Sequence, residues 1–134
     1  MKRGDQFPYI TDDFIWFNNR FTYQNREVLV LFWSISCEQC HEVLLKFDRD
    51  QTVNCSKIAV HMPRFDEDTD INAMRYFLER NNIRTSVVLD HEVKLSNLYN
   101  VEYVPTIFLF DRQLRMKLKK FGGRAYESIR KYVN

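Results

Sequence analysis

Apolar residues fall in short runs separated by polar, turn-forming clusters. The densest run is Val28 to Trp33, VLVLFW, which is β-branched and aromatic and reads as a buried strand. A short polar turn ends it. Cys37 and Cys40 follow at C-x-x-C spacing, and Val43, Leu44 and Phe47 then recur at helical period. The pattern predicts a strand, a turn and a helix to about Asp50 whose first turn carries both cysteines. Upstream, residues 1–13 are polar, are punctuated by Gly4 and Pro8, and read as a loose lead-in. Asp12 to Phe17 reads as one helical turn, and Phe21 to Arg26 as a connection with room for an edge strand.

Downstream, Lys57 to His61 forms a second strand around Ile58 and Val60, and Met62 to Thr69 a loop. Asp70 is placed to cap a helix whose stripe is Ile71, Met74, Phe77 and Leu78. Val87 to Leu89 is a brief strand. Val93 to Asn100 reads as a short helix with Leu95 and Leu98 at helical spacing. Thr106 to Phe110 is a strand opening after Pro105. Asp111 to Gln113 forms a hairpin turn, and Leu114 to Phe121 alternates apolar and basic residues as a strand with one wet face. Gly122-Gly123 breaks the pattern. Tyr126 to Val133 closes the chain as a helix with Ile129 and Tyr132 turned inward. The order β-α-β-α-β-α-β-β-α predicts an α/β domain over residues 1–134, with no internal repeat or low-complexity linker.

Composition narrows the function classes. The 134 residues suffice for a core without disulfide staples, and eleven Phe, seven Tyr and two Trp argue against disorder. A net charge of +2, with basic residues spread among acidic ones, gives no electrostatic footprint for nucleic acid. No apolar run approaches the roughly 18 residues of a membrane span. Lys2 and Arg3 are followed by no apolar signal core. The chain as written therefore reads as cytoplasmic, with an extracytoplasmic, membrane-anchored setting as the alternative if a leader was removed. Monomeric behaviour is expected.

The chemistry concentrates at the cysteines. The first N–H groups of a helix lack intrahelical partners and carry its positive end, which stabilises a thiolate there. The first cysteine has the readier access to solvent and reads as the attacking nucleophile. Cys40, one turn inside, reads as the resolving thiol that displaces a mixed disulfide from Cys37.

These residues resemble the thioredoxin-like superfamily, in particular thiol–disulfide oxidoreductases of the TlpA and ResA kind. The resemblance rests on LVLFWSISCEQC, KIAVHMPRF, SVVLDHEVKLSNLYNVEYVPTIFLFDR and the closing Gly-Gly, together spanning about residues 16–134. It implies a central mixed β-sheet flanked by helices, with a C-terminal β-hairpin and helix. It also implies disulfide exchange with protein substrates and a redox-recycling partner, without a cofactor. Val104-Pro105-Thr106, about 65 residues after the motif, matches the family's cis-proline. In the family the backbone at Val104 and Pro105 pairs with bound substrate as a short strand. Trp33 is expected beside the active-site turn, as a further substrate contact or, equally, as core packing.

The chain also departs from the family. Leu31 stands where thioredoxin has a buried Asp, and Val43 where the ResA-like group has a Glu. Glu42 lies one place earlier, roughly 100° round the helix. Glu38, His41 and Glu42 remain the candidates for tuning the sulfurs. A thioredoxin-like binding module with little turnover is the alternative from another class.

Three rival readings use the same residues. Cys37-x-x-Cys40-His41 spells the haem c signature, with His41 as axial ligand, but a large apolar strand feeds straight into it. Zinc would need Cys37, Cys40, Cys55 and a histidine, and Cys55 stands alone rather than in a pair. Asp66, Asp68 and Asp70 begin like a calcium loop, yet the twelfth position is Phe77. No metal site is expected, and Cys55 reads as a bystander. His61 and His91 read as structural or solvated.

Overall fold

The computed structural model describes residues 1–10 and 13–134. In chain order the elements are β1 (Ile15–Phe17), β2 (Val28–Trp33), α1 (Glu38–Arg49), β3 (Ser56–His61), α2 (Ile71–Arg80), β4 (Ser86–Leu89), α3 (Lys94–Leu98), β5 (Thr106–Phe110), β6 (Met116–Phe121) and α4 (Ala125–Ile129). The strands form one six-stranded sheet in the order β1-β4-β3-β2-β5-β6. The β2–β3 and β3–β4 pairings are parallel. The β1–β4, β2–β5 and β5–β6 pairings are antiparallel. A mixed sheet flanked by helices and ending in a hairpin and a helix is the architecture that the family resemblance implies.

β2 lies inside the sheet, and none of its six side chains retains exposed surface. Alternate residues of a strand face opposite sides. Leu29, Leu31 and Trp33 therefore join one core with Val43, Leu44 and Phe47 of α1, Met74 and Leu78 of α2, and Ile129 of α4. Val28, Val30 and Phe32 join the other with Leu95 of α3, Tyr99, Phe108 and Phe110. Burial on both faces explains why the strand reads as an unbroken apolar run.

Local chemistry sets the helix ends. Asp70 caps α2, its carboxylate accepting the N–H groups of Asn72 (2.9 Å) and Ala73 (3.1 Å). Lys57 reaches the C-terminal end of α1 and donates to the carbonyls of Phe47 and Asp50 at 2.7 and 2.6 Å.

Several expectations need correction. The helical turn expected from Asp12 to Phe17 is strand β1 over Ile15–Phe17, paired with β4; Asp12 itself lies outside the described residues. The lead-in is not loose where described. Gly4 and Phe7 donate to the carbonyls of Met116 and Leu114 (each 2.7 Å), and Phe7 and Ile10 are buried. The 62–69 loop contains a 3-10 turn, Asp66–Thr69. On α3, Leu95 is buried but Leu98 is exposed, and the inward residue beyond it is Tyr99. The final strand begins at Met116, because the hairpin turn extends through Leu114, which adopts a left-handed backbone (φ 62°). The last helix is α4 followed by a 3-10 turn. It buries Tyr126 and Ile129 and leaves Tyr132 exposed. Among the described residues no helix is long and apolar enough to cross a membrane.

Candidate functional site

Cys37 and Cys40 sit where β2 hands over to α1. The turn Ser34-Ile35-Ser36 leaves the sheet, and Cys37 is the N-cap of α1 with an extended backbone. Its N–H donates to Ser34 O (3.1 Å). The N–H of Cys40 donates to the Cys37 sulfur at 3.2 Å, so the thiol fills the capping role usually taken by an oxygen. Cys37 retains 8% exposure and Cys40 none, which gives the two sulfurs unequal access to a partner. Both are free thiols in this structure.

Cys40 is held protonated. Burial pushes its thiol well above the ordinary range, and the adjoining Cys37 sulfur pushes it further. The Ser34 backbone and the positive charge of Arg64 act the other way without overcoming burial. Arg64, in the loop after β3, is a nearby charge that the sequence reading did not single out.

The residues expected to tune the pair separate in space. Glu38 and Glu42 are exposed. His41 is half-buried. Its Nε2 lies 2.7 Å from the Ile35 carbonyl, and its ring packs 4.7 Å from Phe77, so it braces the turn from the helix side. Trp33 does not fit the role of substrate contact. It has no exposed surface, and it stacks on Phe77 (5.6 Å) and meets His61 edge-on (5.2 Å). His61 is likewise fully buried rather than solvated, and burial pushes its pKa down to about 4. Cys55 is buried, and burial raises its thiol to about 11. Among the described residues no three His, Cys, Asp or Glu side chains converge as metal ligands.

The peptide bond between Val104 and Pro105 is cis. Pro105 is buried and Val104 half-buried, and the Pro105 carbonyl accepts the N–H of Gly122 (2.9 Å). Gly122 adopts φ 97°, which suits glycine, and the next residue meets the cysteine motif directly. A Cβ on Gly123 would lie 2.6 Å from the Gln39 side chain, so the absent side chain leaves room for α1 at that point. Tyr103 and Phe121 flank this segment, each 67% exposed, with ring centroids 6.4 Å apart. A cavity of about 360 Å³ opens beside them, with Thr106 and Lys119 in its wall. The exposed aromatic pair escaped sequence reading because its two members lie 18 residues apart along the chain and come together only through the β5–β6 hairpin.

On the far side of the turn lies Asp68, also missed. It is 4% exposed, and its carboxylate accepts the Ser36 hydroxyl at 2.7 Å. The sequence offered it only as one acid of a rejected calcium loop with Asp66 and Asp70.

No family model matches the chain. It is 28% identical to the thiol–disulfide oxidoreductase YkuV of Bacillus subtilis (strain 168), across all of this chain and 95% of that protein. It is 27% identical to the thioredoxin-like protein SkfH of the same organism, across 88% of this chain and 87% of that one. The solution structure of a thioredoxin-like protein in the oxidised form superposes with a TM-score of 0.86 at 28% identity, covering all of this chain and 95% of the other.

Proposed function

We propose that this chain, a thioredoxin-like thiol–disulfide oxidoreductase, works with Cys37 as its attacking sulfur and Cys40 as its resolving sulfur. The observation that carries the assignment is the unequal burial of the pair, 8% against none, with Cys40 held as a thiol by its surroundings. In the reductive direction the Cys37 thiolate attacks one sulfur of a substrate disulfide, and the other substrate sulfur leaves with the bonding electrons. Cys40 then gives up its proton and attacks Cys37. The mixed disulfide breaks, the second substrate sulfur leaves as a thiolate, and a Cys37–Cys40 disulfide remains. A recycling dithiol reverses the oxidation.

The substrate is a protein segment laid in extended form along Val104 and Pro105, with Tyr103 and Phe121 offering it apolar contact. Two large exposed aromatics flanking the Val104–Pro105 segment suit a polypeptide better than a small thiol. One experiment tests both parts, with insulin as protein disulfide and a small aromatic disulfide as control. Cys37→Ser abolishes turnover of both. Cys40→Ser accumulates a mixed disulfide on Cys37. Tyr103→Ala with Phe121→Ala raises KM for insulin severalfold and leaves the small disulfide unaffected. Turnover that survives in Cys37→Ser would refute the assignment of roles. A wild-type protein that binds partners without turnover would favour the binding module instead.

A further inference from the structure

The turn between β2 and α1 is gripped from outside by one carboxylate oxygen. Asp68 Oδ2 accepts the Ser36 hydroxyl (2.7 Å) and the N–H groups of Arg64 (2.9 Å) and Phe65 (3.1 Å). The Ser34 hydroxyl stands at 3.4 Å as a longer fourth approach. Ser34 and Ser36 bracket Ile35, whose carbonyl meets His41. The Ser34 carbonyl in turn takes the N–H of Cys37, and the Cys37 sulfur takes that of Cys40. Hydrogen bonds therefore link the Asp68 carboxylate through the turn to the Cys37 sulfur and the Cys40 N–H.

We propose that Asp68 is a positioning residue for the Cys37–Cys40 pair, holding the turn so that the Cys40 sulfur stays within reach of Cys37 when the disulfide closes. The inference rests on the redox reading above. Burial works against a charge at Asp68, but the donors from Arg64, Ser36 and Phe65 outweigh it and hold the carboxyl below its usual range. The oxygen is thus a charged acceptor, and bonds to such acceptors are the stronger ones. Ring closure depends on the effective concentration of one sulfur at the other, so loosening the turn disfavours the disulfide without altering either cysteine.

The test equilibrates wild type, Asp68→Ala, Asp68→Asn and Ser36→Ala in glutathione buffers and counts thiols by mass, with thermal midpoints measured in parallel. Losing the charged acceptor in Asp68→Ala lowers the closure equilibrium about tenfold, a potential about 30 mV less negative. Ser36→Ala shifts it about threefold in the same direction, and Asp68→Asn, which can still accept, falls between wild type and Asp68→Ala. Variants that lose thermal stability but keep the closure equilibrium within twofold of wild type would overturn the inference, since Asp68 would then support only the fold. Should Asp68→Ala fail to fold, Ser36→Ala decides, because it removes one exposed hydroxyl. A wild-type chain that forms no Cys37–Cys40 disulfide would overturn the redox reading and this inference with it, whereas a normal wild type with unmoved variants sinks the inference alone.

Discussion

His61 shows what burial does to a single titratable side chain in this protein. It ends β3 with no exposed surface, and neither ring nitrogen has a partner among the described residues. Burial disfavours the imidazolium first of all, while the Asp68 and Asp90 carboxylates pull the pKa partly back, to about 4 against an ordinary 6.5. The folded-state value lies below the unfolded one, so the unfolded chain takes up the proton first as the pH falls. Stability from this residue is complete above about pH 6.5 and drains away toward pH 4, by of order 3 kcal/mol. Thermal melts at about pH 7.5 and pH 4.5 check this. Wild type loses more on acidification than His61→Leu, and equal losses would show that His61 does not titrate in this way. The place of a residue was legible where a motif named it, as for Cys37 and Cys40 at the start of α1 and for the cis bond at Pro105. It was not legible for Trp33, His61 or Asp68. Their roles depend on which neighbours the sheet and the 62–69 loop bring together, and sequence spacing carries no record of that.

Elements were legible in proportion to the strength of their pattern. β2, α1, β3 and β5 carry long apolar runs or a clear helical stripe, and their observed bounds lie within two residues of those expected. β1 has only three residues, all apolar, so neither period can be read from it, and pairing with β4 decides its form. The α1–α4 junction shows how a polar residue ties elements together. Asp50, the C-cap of α1, accepts from Thr52 N (2.9 Å), Tyr126 OH (2.6 Å) and Arg130 Nε (3.0 Å). Burial opposes its charge, yet these donors hold its carboxyl well below the usual range. Asp50→Ala therefore costs about 2 kcal/mol, since it strands the hydroxyl of the buried Tyr126 and the Arg130 guanidinium together. Denaturant unfolding measures the loss at neutral pH. The stabilisation by Asp50 is present above about pH 4 and falls away in stronger acid, where the folded carboxyl also protonates. Disulfide exchange by Asp50→Ala stays near wild type, because the junction lies at the opposite end of α1 from the cysteines; a large fall would show that α4 couples to the site.

At the scale of the whole molecule, a doubly buried central strand delivers the cysteine turn at its C-terminal end. Two other segments meet the turn and the start of α1 there: the loop after β3 with Arg64 and Asp68, and the Gly122–Gly123 break, which is itself tied to the Pro105 carbonyl. The strand, the motif and the proline were readable along the chain and carried the fold class with them. The convergence of the other segments was not, because it follows from the parallel β2–β3 register and the antiparallel β5–β6 hairpin rather than from any local signal. Leu31 and Val43, where the family resemblance leads one to expect acidic groups, both belong to the apolar core. The charged groups that do approach the turn, Arg64 and Asp68, come from the loop after β3 instead.

The central claim is that Cys37 and Cys40 form a reversible redox pair. Its most direct test is equilibration of the folded chain in glutathione or dithiothreitol buffers, with alkylation of the remaining thiols and peptide mapping by mass. The account predicts a single two-electron transition in which Cys37 and Cys40 become linked together while Cys55 remains a thiol. The midpoint will place the protein on the scale that runs from about −270 mV for thioredoxin-like reductants to about −120 mV for strong oxidants. Persistence of free Cys37 and Cys40 at every poise, or a disulfide that instead engages Cys55, would contradict it.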